Sequence, residues 1–284
     1  MQIINTKDEL RAAVQAARQA GRTIGLVPTM GALHAGHLSL VDAARRAGDF
    51  FVATIFVNPT QFAPHEDFER YPRSLDADLS ALRSASADVA FVPERAEVYR
   101  PRHAAFVDVG AVAETLEGRF RAGHFRGVAT VVLKLFNMAT PDRAYFGQKD
   151  YQQTVVVRQM VADLNLPIEL RVCPTVREAD GLAMSSRNAY LSVDERRQAT
   201  VLYRSLCRAA ELVKSGERDA AAVEEAMRGC FACAPQVTIE YVAVVDCDNL
   251  QPLSVIDRPA LAAVAARIGT TRLIDNEILE GLRS

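Results

Sequence analysis

Residues Thr23–His37, TIGLVPTMGALHAGH, decide how this chain is read. Thr23 to Val27 is a short apolar run of the kind that forms a buried strand. Pro28 ends it, and a glycine-punctuated turn opens a helix expected from about Gly36 to Ala47. Open α/β sheets bind ligands beyond their strand carboxyl ends, which is where this turn falls. The first N–H groups of a helix lack partners and carry partial positive charge, so they suit phosphate. Gly31 and Gly36 let a ligand approach the backbone. His34 and His37 share one helical face and can donate to negative charge growing on a phosphoryl group. The competing reading, two ordinary surface or capping histidines, is weakened by their pairing with glycine behind a strand.

The same alternation of strand and helix extends on both sides. Upstream, Thr6-Lys7-Asp8-Glu9 is a capping-box pattern, Leu10, Ala13, Val14 and Ala17 fall on one helical face, and Gly21 closes the helix. Downstream, strands are expected at Phe51 to Val57, near Val89 to Val92, near Ala144 to Phe146 and at Ile168 to Cys173. Helices are expected near Val128 to Met138 and Gln153 to Leu164. Strands separated by helices imply a mostly parallel sheet. After Pro174 the texture changes: Ser192-Val193-Asp194-Glu195 caps a charged, alanine-rich helical region, and Thr238 to Val245, Ala262 to Ile268 and Thr271 to Ile274 read as a smaller sheet. The expectation is an α/β chain with a Rossmann-like domain over 1–174 and a small α+β domain over 175–284, the ligand lying in their cleft.

Composition narrows the partners. The 284 residues are 49% hydrophobic and 24% charged, an ordinary globular balance. No apolar run approaches the roughly 20 residues needed to cross a bilayer. The charged, amphipathic start does not read as a secretory signal, so no membrane partner and a cytoplasmic location are expected. A net charge of -2, from 33 basic and 35 acidic residues, argues against nucleic acid. The five cysteines, Cys173, Cys207, Cys230, Cys233 and Cys247, read as reduced thiols. Cys230 and Cys233 form an isolated CxxC; zinc needs about four ligands, so both are expected as small buried side chains near a helix end.

Neither a GxxxxGK[ST] loop nor a GxGxxG after a strand is present, so a nucleotide would be held differently. HxGH after a strand is similar to the signature of the nucleotidyltransferase superfamily, whose second loop, rich in Lys and Ser, has a counterpart in Met184-Ser185-Ser186-Arg187-Asn188. Two hydroxyls and a guanidinium can clamp a polyphosphate. With FVNPTQF at Phe56 to Phe62, YFGQKDYQQ at Tyr145 to Gln153 and DGLAMSSRN at Asp180 to Asn188, the chain resembles the pantothenate synthetase family over nearly its whole length. Ala35 and Gln148 stand where acidic residues are common.

That resemblance implies an ATP-dependent ligase that adenylates pantoate, releases pyrophosphate, and passes the acyl group to β-alanine with release of AMP. It assigns the ATP loop to Met30, Gly31, Ala32, Leu33, His34, Ala35, Gly36 and His37, with His37 also the family's proton donor. Lys149 would place charge on the phosphates, and Met184, Ser185, Ser186 and Arg187 would close over them. Gly147 and Asp150 would meet the ribose and adenosine and Val176 the adenine, with Gln148 among the ATP-binding residues. Gln61 and Gln153 would bind pantoate. The catalytic set is then His34, His37, Lys149 and Arg187. Mg2+ is expected on phosphate oxygens and water with no protein metal site; Asp76 and Asp78, in a charged helical stretch, read as surface residues. Asn58 either supports the pantoate pocket or caps a strand end, and His124 and Arg126, ahead of a helix, are candidates for the substrate's surroundings. A homodimer joined through the first domain is implied by the family. The rivals are a nucleotidyltransferase that leaves AMP on its product and a non-catalytic nucleotide-binding protein.

Overall fold

The computed structural model describes residues 1–64 and 66–280. A six-stranded parallel sheet has the order β1-β4-β3-β2-β5-β6. Its strands are β1 (Gln2–Ile4), β2 (Ile24–Thr29), β3 (Phe50–Ile55), β4 (Val89–Phe91), β5 (Arg143–Gly147) and β6 (Glu169–Cys173). The helices between them are α1 (Lys7–Gln19), α2 (Ala35–Arg46), α3 (Leu75–Ser84), α4 (Arg95–Val98), α5 (Glu117–Phe120), α6 (His124–Ala139) and α7 (Tyr151–Asp163). Successive strand side chains take opposite faces: Ile24, Leu26 and Val52 pack with α1, α6 and α7. Val27, Phe51 and Ala53 pack with α2 and α3 on the other face. Burial on both faces is what a parallel sheet requires.

Three expectations change in detail. The TIGLV run is the second strand, because Gln2–Ile4 adds an edge strand beside β4. Pro28 lies within β2, paired with Thr54, where the ladder to β5 has already stopped at Leu26 and no donor is needed on that flank. Helix α6 starts at His124, ahead of the expected Val128, and Gly127 within it is a close-approach glycine: a Cβ there would lie 2.3 Å from the Thr60 carbonyl oxygen.

The remainder folds on an antiparallel sheet of β7 (Val237–Asp246), β8 (Ala260–Ile268) and β9 (Thr271–Leu279), covered by α8 (Val193–Ala199), α9 (Val201–Lys214) and α10 (Ala220–Gly229). Both anticipated capping boxes, at Thr6 and Ser192, are formed. Strand β9 runs five residues beyond the expected Ile274. Its polar residues broke the apolar pattern, yet Asp275 and Asn276 are buried with partners. Of the CxxC pair, Cys233 is exposed and Cys230 half-buried, so the expected burial does not hold for Cys233. The two units meet through Leu116, Tyr151 and Val155 against Val245, Leu250 and Leu261. Arg272 and Tyr241 also grip the buried carboxylate of Glu117.

Candidate active site

The chain order of the sheet reverses between β2 and β5, so the loops after these two strands open on one crevice. After β2, Gly31 and Ala32 both take left-handed backbone (φ 80° and 49°). Asp78, only 2% exposed, accepts from Ala32 N–H at 2.9 Å and Leu33 N–H at 2.7 Å. Asp78 is therefore a buried brace and not the surface residue its helix suggested; Asp76 is exposed. The space Gly31 leaves is taken by Asp78, since a Cβ would sit 2.9 Å from its Oδ2.

His34 is the N-cap of α2, and the two histidines complete a capping box. His34 Nδ1 accepts from Gly36 N–H at 3.1 Å, and His37 Nδ1 accepts from His34 N–H at 3.4 Å. Their rings lie 4.1 Å apart. An Nδ1 that accepts carries no proton, so each neutral ring bears its hydrogen on Nε2. Burial, then the neighbouring His34, pushes His37 down to about 3, and burial with the Lys149 charge lowers His34. Both are neutral donors at neutral pH. Of the loop's amides, expected to be free for phosphate, Gly31 N–H goes to Thr29 Oγ1, those of Ala32 and Leu33 to Asp78, and those of His34 and Gly36 to the histidine rings.

After β5, a 3-10 turn over Gln148–Asp150 carries Lys149, whose Nζ stands 3.8 Å from Asp150 Oδ1. After β3, Asn58 is 1% exposed. Its Nδ2 donates to Gln61 Oε1 (3.0 Å) and the Gly127 carbonyl (3.2 Å), while its Oδ1 accepts from Thr60 N–H and Tyr99 Oη. It both caps the turn and aims Gln61, whose Nε2 reaches Met30 Sδ at 3.1 Å. His124 Nδ1 meets the Gln61 carbonyl at 2.9 Å, and its Nε2 meets Arg121 at 3.0 Å. Since a carbonyl only accepts, His124 donates through Nδ1. Burial, then the Arg121 charge, pushes it down to about 3. Arg126 is exposed and stacks 4.3 Å over Phe106, outside the cleft lining.

The Met184–Asn188 segment reaches across from the other unit. Arg187 pairs with both oxygens of Asp67 at 2.9 Å and lies 5.8 Å from the Tyr71 ring. Burial opposes the charge on each partner; the pair overcomes it, holding Asp67 below the usual carboxylate range and Arg187 above its own. Ser186 Oγ contacts Tyr71 Oη at 3.3 Å, Tyr190 Oη donates to the Arg70 carbonyl at 2.9 Å, and Ser185 Oγ accepts from Arg187 N–H.

One cleft brings together Met30, His34, Gly36, His37, Gln61, Gly147, Lys149, Asp150, Gln153, Val176, Met184, Ser185, Ser186 and Arg187. Gly31, Ala32, Leu33, Ala35 and Gln148 do not line it. Gly31 to Leu33 turn toward Asp78, Ala35 is exposed, and the Gln148 carbonyl bonds Asn276. Sequence reasoning missed Asp78, Asp67, Tyr71 and Asn276, whose long-range partners lie 45 to 128 residues away. Only the acidic spacing in α3 hinted at one of them.

Fold and cleft define the class: an α/β protein with HxGH histidines at the switch point of a parallel sheet. The sequence model of the family described as pantoate-beta-alanine ligase matches residues 2–278. Pantothenate synthetases of Roseiflexus castenholzii and Moorella thermoacetica are 57% and 53% identical over 280 residues, covering 99% of this chain and 100% and 99% of theirs. The crystal structure of pantothenate synthetase from Thermus thermophilus has a TM-score of 0.93 at 46% identity, covering 98% of this chain and 99% of that one. A pantoate-β-alanine ligase of Francisella tularensis, complexed with β-γ ATP and β-alanine, has a TM-score of 0.79 at 32% identity, covering 98% and 97%. The chain belongs to the pantoate–β-alanine ligase family, whose reaction is the ATP-dependent condensation of pantoate with β-alanine.

Proposed function

We propose that the cleft carries this condensation through a pantoyl adenylate. A pantoate carboxylate oxygen attacks the α-phosphorus of ATP and pyrophosphate leaves. The β-alanine amine then attacks the acyl carbon, AMP leaves with the bonding pair, and the amine proton passes to solvent. The observation that supports this most is the convergence on one cleft of His34, His37 and Lys149 with Ser185, Ser186 and Arg187. Negative charge moves onto the bridging and leaving phosphate oxygens, and fixed donors in a partly dry cleft stabilise it.

In this reading His34 and His37 present Nε2–H to the phosphates. Without nucleotide, burial and His34 push His37 down to about 3, so it meets the phosphates as a neutral Nε2–H donor. Lys149 and Arg187 supply charge, with Met30, Gly36, Gly147, Asp150, Val176 and Met184 shaping the nucleotide pocket. Gln61, oriented by Asn58, and Gln153 hold pantoate, whose hydroxyls and carboxylate need groups that both donate and accept. Mg2+ accompanies the triphosphate on phosphate oxygens and water; Asp150, half exposed in the cleft, is the carboxylate open to it, whereas Asp78 is committed to loop amides.

Residues 1–174 and 175–284 act as domains, the second a lid over the phosphates; identical scattering profiles with and without ATP would contradict closure. A cytoplasmic homodimer is part of this reading through family membership, and light scattering reports the mass. The central test is a coupled assay for AMP with pantoate, β-alanine and ATP each omitted in turn. AMP should require all three, and pyrophosphate only ATP and pantoate. AMP retained on the product would favour the nucleotidyltransferase rival.

A further inference from the structure

Strand β9 carries Asp275 and Asn276 at the centre of its pairing with β8, opposite Val264 and Ala263. Asn276 is 4% exposed. Its Nδ2 donates to the Gln148 carbonyl at 3.1 Å and the Lys149 carbonyl at 2.8 Å. Carbonyls only accept, so the NH2 end must face them, and both of its hydrogens are used. Its Oδ1 is buried without a partner. A buried orphan acceptor is costly, and here it is tolerated where the opposite end of the same amide fixes the turn that bears Lys149. Asp275 accepts from Asn276 N–H at 2.8 Å and from Arg177 at 2.6 and 3.2 Å. Arg177 follows Val176 and begins the bridge to Ala183 that leads into Met184–Asn188. One rigid strand therefore ties two cleft-forming segments from opposite sides.

We propose that Asn276 is a positioning residue that holds Lys149 in register with the Val176–Arg187 segment, so that seating the antiparallel unit aims the lysine at the polyphosphate. This rests on the reading of Lys149 as a phosphate ligand. Asn276 itself has no spare donor for ligand, and its effect should pass through Lys149.

A double-mutant cycle tests this, with ATP affinity measured by calorimetry for the parent, Lys149→Ala, Asn276→Ala and the double variant. Each thermal midpoint is read in the same samples. Lys149→Ala should weaken ATP about tenfold and Asn276→Ala about fivefold, the scale of one or two neutral hydrogen bonds. In the Lys149→Ala background, removing Asn276 should add less than twofold. A second fivefold loss there would overturn the coupling and leave Asn276 as general interface packing. If Lys149→Ala alone binds ATP like the parent, the phosphate role of Lys149 fails instead, a distinguishable result. Should Asn276→Ala not fold, Asn276→Ser carries the cycle; it keeps one donor and should lie between parent and alanine, and parent-like affinity in it would count against the proposal.

Discussion

The His34–His37 corner and the Met184–Asn188 segment face the same cleft but are built in opposite ways. The first is locked within one unit: Asp78 holds two amides, His37 takes the His34 N–H and His34 the Gly36 N–H, and both rings are neutral. The second is fastened across units by the Arg187–Asp67 pair and the Ser186 and Tyr190 hydroxyls, none of which belongs to a sheet ladder. Bonds of the first kind persist without ligand. Those of the second join half-buried side chains of the two units, so Arg187 must leave Asp67 before its fork can serve a ligand. The site therefore joins a preformed corner to an adjustable clamp.

Three measurements would break or sharpen that contrast. The largest effect is expected for His37→Ala, which removes a fixed Nε2–H donor. Pantoate-dependent ATP–pyrophosphate exchange should fall about 100-fold, the usual scale for losing one preorganised donor; exchange at the parental rate would sink the role given to His37. Arg187→Lys probes the clamp. Lysine cannot reproduce a bidentate fork, so kcat/KM for ATP should drop about tenfold, the effect of roughly one charge-assisted bond, while the unfolding midpoint in urea stays near the parent's. A large loss of stability would mean that the clamp is structural.

The smallest effect concerns pH. In the unfolded chain His37 and His124 titrate near the ordinary 6.5, whereas in the fold both are pushed down to about 3. The unfolded state then binds more protons across that window, so stability present above about 6.5 is lost as pH falls. In that window Glu66 and Asp67 are held below their own ordinary values and stay charged, while burial raises Asp275 and Glu277, whose proton uptake in the fold works against the histidines toward the acid end. Urea unfolding should show lower stability at pH 5 than at pH 7, and His124→Asn should narrow the gap. An unchanged gap would show that His124 takes up its proton in the fold.

Much of this architecture was legible because it is written in local pattern. Hydrophobic runs, the Thr6 and Ser192 capping boxes and the helix after HAGH are all satisfied within a few residues of themselves. The cleft's composition was legible too, through motifs that keep their chemistry together. What escaped is long-range and polar. Asp78 reads as one acid among several on α3 until the loop 46 residues earlier folds onto it. Asn276 interrupts an apolar strand, and its partners lie 128 and 127 residues away. Strand β1 has only three residues, too few for a periodicity, and gains its identity from β4.

Asp78 also bears on selectivity. A carboxylate lodged behind the loop occupies the amides that would otherwise form a nest for a small anion, and it adds negative charge behind them. Free phosphate or sulfate would find little there to grip. If the histidine Nε2 hydrogens, Lys149 and Arg187 hold phosphate as proposed, a ligand long enough to span them gains several donors at once, and the cleft then measures the length of a phosphate chain.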